Sequence, residues 1–148
     1  MALIRVERLS PHSPAEAWRR LTDWKRHADV VPLTRVTVTT PPPTHEGTLF
    51  VARTGIGPAA FDDPMQVTVW QPPDADHPDR PARCRLDKRG TFVTGWAEIE
   101  VHPRGPGSRV VWLEELRVRW LPPFLDASLA ASGRLLFGRA ADGLLRRP

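Results

Sequence analysis

Apolar and polar residues alternate almost without interruption from Ser108 to Leu121. The even positions are Val110, Trp112, Glu114, Leu116, Val118 and Trp120, and the odd ones are Arg109, Val111, Leu113, Glu115, Arg117 and Arg119. Successive side chains of a strand point to opposite faces, so this spacing predicts a long strand with its even face turned inward. Glu114 is the one acid on that face. An unpaired carboxylate there costs several kcal/mol or takes up a proton, so it calls for a buried partner or a wet pocket. A strand this long cannot stay flat, and it predicts a curved sheet wrapped around something.

The rest of the chain reads in the same terms. Leu3 to Leu9 predicts a short strand. Ser13-Pro14-Ala15-Glu16 opens a helix, with Ser13 as N-cap, Pro14 in the first turn and Glu16 placed for a capping box. Asp23 caps a second short helix through Ala28, which stops before Pro32. Strands are expected over 35–40, 48–54, 65–70, 83–88, 91–102 and 108–120, with a break at Gly55-Ile56-Gly57-Pro58 and a polar, Pro-rich loop from Pro72 to Ala82. Pro122-Pro123 announces a terminal helix over 124–146, with an apolar stripe of Leu125, Leu129, Leu136, Ala140 and Leu144. Gly133 and Gly138 interrupt that helix. They either thin it over a cavity or mark a kink or frayed turn.

At 148 residues the chain suits a single domain, 1–148, with room for a core and a cavity. No apolar run reaches membrane-span length and Met1 to Leu9 lacks a signal-peptide core, so a cytoplasmic location is expected. Cys84 stands alone, which rules out an internal disulfide and a cysteine zinc cluster. The pI near 10.5 overstates basicity. Net charge is only +4, and of 21 basic residues only Lys25 and Lys88 are lysines, so arginine usage lifts the pI. The basic residues form no run, and no specific nucleic-acid partner is expected.

The order of elements is strand, two short helices, six strands and a long terminal helix. Its local carriers are Ser13-Pro14-Ala15-Glu16-Ala17-Trp18 with Leu21-Thr22-Asp23, Phe61-Asp62-Asp63-Pro64-Met65 with Trp70-Gln71-Pro72-Pro73, Gly95 to Val101, and Ser108 to Trp112. In these features the chain resembles bacterial members of the START and polyketide cyclase/dehydrase-like (SRPBCC) superfamily. The resemblance implies an α+β helix-grip fold: a curved seven-stranded antiparallel sheet around the C-terminal helix, with an elongated apolar cavity between them. It implies no particular catalytic residues, because carriers, sensors and enzymes share the fold.

Parity suggests what would surround Glu114. Asp63 shares a face with Phe61, Met65, Val67 and Val69, and Arg53 shares parity with Leu49 and Val51, although Phe50 and Ala52 leave that face open. Lys88 follows Cys84 and Leu86. A cluster of Arg53, Asp63 and Glu114 would place polar handles in an apolar pocket. The alternatives are a purely structural ion pair, or a bulge that turns Glu114 outward and brings Glu115 in. Val67, Val69, Ala97, Ile99, Val110, Trp112 and Leu116 would supply the sheet's wall, Leu129, Gly133 and Leu136 the helix's, and Gly55, Ile56 and Gly57 a mobile loop at the mouth. His12, His27, His45, His77 and His102 show no metal-ligand spacing, and no nucleophile elbow or phosphate loop is present.

The expected function is binding of a small hydrophobic or amphipathic, lipid- or polyketide-like molecule, without cofactor or metal, by a monomer or homodimer. A cyclase or dehydratase using polar cavity residues is the alternative, and binding is favoured over catalysis. A third possibility is an interaction module on the arginines of the terminal helix, Arg134, Arg139, Arg146 and Arg147.

Overall fold

Alternation in seven segments produces one antiparallel sheet in the computed structural model, which describes residues 2–146. The strands are β1 (Ala2–Ser10), β2 (Thr34–Val38), β3 (Leu49–Thr54), β4 (Phe61–Gln71), β5 (Ala82–Lys88), β6 (Val93–Arg104) and β7 (Gly107–Val118). They lie side by side in the order β1-β7-β6-β5-β4-β3-β2. From β2 onward each strand pairs with the next in sequence. Only the step from β1 to β2 crosses the sheet, edge to edge. The helices α1 (Pro14–Leu21) and α2 (His27–Val30) carry the chain over that span, joined by a 3-10 turn at Trp24–Arg26.

Helix α1 starts where its capping residues dictate. Ser13 Oγ accepts from Glu16 N–H at 3.3 Å, and Pro14 occupies the first turn. Glu16 turns away from the cap to Arg19 and Arg20, with its Oε1 2.6 Å and 2.8 Å from them. Arg20 is buried and also donates to the Arg146 carbonyl, which ties α1 to the end of the terminal helix. That helix, α3 (Asp126–Leu145), is entered through a 3-10 turn at Pro123–Leu125 and packs on β1, α1 and α2. It is two residues later at its start than the spacing suggested, because Pro122 and Pro123 favour the tighter turn.

The glycines of α3 act as contact points with other elements. A Cβ on Gly133 would collide with Ile4 of β1, and one on Gly138 would sit 2.7 Å from Arg8 Nη2. Both therefore let α3 approach the sheet edge at β1. Neither thins the helix over a cavity, and neither ends or interrupts it.

The two sheet faces differ sharply. Ile4, Val67, Cys84, Ile99, Val101 and Val110 are essentially inaccessible on the concave face. The convex face carries charge pairs, among them Arg83 with Glu98, Arg109 with Glu7 at 3.1 Å, and the Arg85 guanidinium 4.6 Å above Trp96. No helix among the described residues is long and apolar enough to cross a membrane.

Candidate functional site

The concave sheet does not close completely on α3. Between them lies a cavity of about 270 Å³, walled by Leu86, Ala97, Trp112 and Leu116 of the sheet, Leu129, Leu136 and Phe137 of α3, and Trp24 and His27 of the short helices. Phe50, Phe61 and Met65 complete the side made by β3 and β4. Toward α1 the interior is solid instead: Trp18 packs on Trp70 with ring centroids 5.0 Å apart, and α1 rests on β6 and β7. The sheet's core is thus divided into a filled half and a hollow half.

Three charged side chains meet in the hollow half. Lys88 Nζ donates to Asp63 Oδ2 at 2.6 Å and lies 3.3 Å from Glu114 Oε1. Trp112 Nε1 donates to Glu114 Oε2 at 3.1 Å. The Lys88 and Glu114 side chains are 3% and 4% exposed, so water screens neither charge appreciably. Strand pairing produces this meeting. Met65 lies opposite Lys88, which sets Asp63 one inward step away on β4, and Glu114 stands inward on β7 opposite Ala97.

Burial pushes the Glu114 carboxyl up from its ordinary range, and Lys88 only partly reverses that push. For Lys88, burial alone would lower the ammonium. The facing carboxylates of Glu114 and Asp63 outweigh it and hold the pKa above the usual lysine value. His27 is held down by burial, and its Nε2 lies 2.8 Å from the Leu21 carbonyl, so the neutral ring keeps its proton there. Its ring centroid is 5.7 Å from that of Trp112.

The structure places Asp63, Ala97, Trp112, Glu114, Leu116, Leu129 and Leu136 on the cavity wall. Glu114 faces inward at 3% exposed, whereas Glu115 accepts from Trp96 Nε1 on the opposite face. Other expectations are corrected. Arg53 lies on the outer face and pairs with Asp62 at 3.0 Å, because Phe50, Ala52 and Thr54 are the inward residues of β3. Val69 is turned outward by a bulge between Val67 and Val69, which pairs it with Arg85 and swings Trp70 in opposite Cys84. Val67, Ile99 and Val110 do point inward but are buried in the packed core, off the cavity wall. Gly133 faces Ile4.

The loop at Gly55, Ile56 and Gly57 borders an outer hollow that shares Thr34 with the cavity. Arg134, Arg139 and Arg146 are exposed, and Arg147 lies outside the described residues. Lys88, the cation of the cluster, was visible only as a lysine in step with Cys84 and Leu86. Nothing in the local pattern singled out His27, Trp24 or Phe137.

Neither a family model nor a curated protein matches the sequence. Solved structures do match across nearly the whole chain. A STAR-related lipid transfer protein from Xanthomonas axonopodis superposes with a TM-score of 0.69 at 11% identity, covering 96% of this chain and 85% of that one. A norcoclaurine synthase from Thalictrum gives 0.65 at 16% identity over 97% of this chain and 91% of its own. A protein from Thermus thermophilus gives 0.66 at 16% identity, with the same two coverages. At such identities the likeness is one of architecture, and with the seven-stranded sheet gripping α3 it makes this chain a protein of the helix-grip fold.

Proposed function

We propose that the chain binds a compact hydrophobic or amphipathic molecule in the cavity between the sheet and α3. The observation that carries this reading is the hollow itself: about 270 Å³ of space with apolar and aromatic walls and one buried polar cluster. Ligand pockets combine apolar walls with a few placed polar groups in this way. The volume limits the ligand. A cavity of about 150 Å³ holds benzene, so this one suits a molecule of about ten non-hydrogen atoms, well short of a diacyl lipid. The lipid-transfer and synthase neighbours of the same fold support the use of such a hollow for small molecules.

A catalytic reading has one observation in its favour. Glu114 is a carboxyl held up by burial beside an ammonium, as a general acid would be. It stays second because Lys88 and His27, the cavity's other proton-carrying groups beside it, are already engaged by Asp63 and the Leu21 carbonyl.

Native mass spectrometry of the purified protein should show a bound small molecule, and Leu136→Trp, which fills the hollow, should lose it while keeping the fold. A panel of small apolar compounds should raise Tm in the unsubstituted protein only. If no compound stabilises the protein and no bound mass is seen, the binding reading fails.

A further inference from the structure

The chemistry of the ligand's polar end follows from which hydrogen-bonding groups of the cavity wall are already engaged. Lys88 directs its ammonium to Asp63 and Glu114, with Met65 Sδ at 3.9 Å in the third direction. Trp112 Nε1 is engaged by Glu114, Trp24 Nε1 by Thr44 Oγ1 at 3.2 Å, and His27 by the Leu21 carbonyl. Thr34 donates to the Pro32 carbonyl at 3.1 Å, so Thr54, 2.9 Å from it, is the donor of that pair. Each of these side-chain donors has a protein partner. The unmatched group is an acceptor: Asp63 Oδ1 is buried with no hydrogen-bond partner. Asp63 itself lines the cavity, and its side chain is 13% exposed.

Charge points the same way. Two carboxylates face one ammonium, and the imidazole on the wall is neutral, so the ionised cluster carries an excess negative charge in an apolar setting. Such a charge needs a counter-charge or a proton.

We infer that the cavity selects a compact amphipathic molecule whose polar end is a protonated amine, bound at the Asp63 carboxylate beside Lys88 and Glu114. The inference rests on the proposed binding function and names its ligand class. An alkyl ammonium would supply the missing donor and leave two cations alternating with two anions. A carboxylate ligand would add a third anion and find no free donor. A neutral alcohol would supply a donor without the charge.

Isothermal titration calorimetry at pH 7 with n-octylamine, n-octanol and n-octanoate tests this directly, since the three differ mainly at the polar end. The amine should bind at least about tenfold more tightly than the alcohol, because charge-assisted hydrogen bonds are about twice as strong as neutral ones, and the acid should bind most weakly. Asp63→Asn should reduce the preference for amine over alcohol to less than about threefold while alcohol binding persists. An alcohol or acid that binds as tightly as the amine overturns the inference and leaves the cavity's function standing. Failure of all three overturns the binding reading and this inference with it. Full amine preference in folded Asp63→Asn rules out Asp63 as the anchor. The ranking on the unsubstituted protein decides the ligand class even where the variant does not fold.

Discussion

Lys88 and Lys25 are the two lysines of the chain, and Lys88 is the one buried between acids. Removing it exposes the imbalance of the cluster. Lys88→Met leaves Asp63 and Glu114 facing each other without a cation, which should cost about 3–5 kcal/mol in urea unfolding at pH 7. The loss should shrink as pH falls and the buried Glu114 carboxyl takes up a proton. Glu114→Gln is the opposite case, since Lys88 keeps Asp63 as its counter-charge. Its cost should stay below about 1.5 kcal/mol, close to one net hydrogen bond. If instead Glu114→Gln proves the more damaging of the two, the ion pair with Glu114 is structural and Asp63 does not balance Lys88. Cys84 gives a simpler test. Burial pushes its thiol up to about 12, so it should stay unreactive to a disulfide reagent in the native protein and react only as the chain unfolds. Rapid native labelling would show that β5 opens.

Between elements, the decisive contact is that of α3 with β1. Gly133 has no side chain where Ile4 already stands, fully buried. Gly133→Ala should therefore lower stability by about 1–3 kcal/mol, as overpacked cores do. Ile4→Val removes the colliding methyl, so the double variant should recover part of that loss, measured as a coupling energy in a double-mutant cycle. Purely additive losses would mean that α3 and β1 do not meet at this point. Gly133→Leu should go further, pushing α3 off the sheet and lowering Tm. The bulge in β4 acts at this scale too. One extra residue exchanges the faces of Val69 and Trp70, and it lets Trp70 seal the packed half against Trp18.

For the whole molecule, pH acts through one group at the surface and two in the interior. Glu16, held down to about 2 first by Arg19 and then by Arg20, ties α1 together at the surface. Its folded pKa is depressed, so its contribution is present above the ordinary glutamate value near 4.5 and is lost as pH falls toward 2. Glu16→Gln should remove that part of the acid transition. Glu114 has the opposite sign. Its carboxyl is raised, so the native state holds a proton that the unfolded chain releases, and stability declines as pH rises above about 4.5. His27, kept neutral, works against that decline, because the unfolded chain binds its proton below about 6.5 and stability rises with pH up to that value. Unfolding midpoints of Glu114→Gln and the parent between pH 4 and 8 should therefore diverge, with the variant gaining on the parent as pH rises. Parallel curves would show that the Glu114 carboxyl has the same pKa in the folded and unfolded states.

Much of this was readable from residue order alone, and for a local reason. Alternation along 108–118 sets the inward face of β7 through backbone geometry, so Glu114 was the candidate buried acid from sequence, with a bulge favouring Glu115 as the alternative that the sheet then excluded. Ser13 and Pro14 likewise start α1 through hydrogen bonds and torsions within a few residues. The partner of Glu114 was a different matter. Arg53 and Lys88 were both within the range that parity left open, and strand pairing across β3, β4 and β5 put Lys88 inside and Arg53 outside. The bulge at Val67–Val69 was equally hidden, because an extra residue leaves composition and alternation on either side intact. So was the role of Gly133, which depends on a side chain 129 positions earlier in the chain. Periodicity records which way each side chain points relative to its own backbone. Which side chains then touch is set by register and helix docking, and these are properties of the assembled sheet.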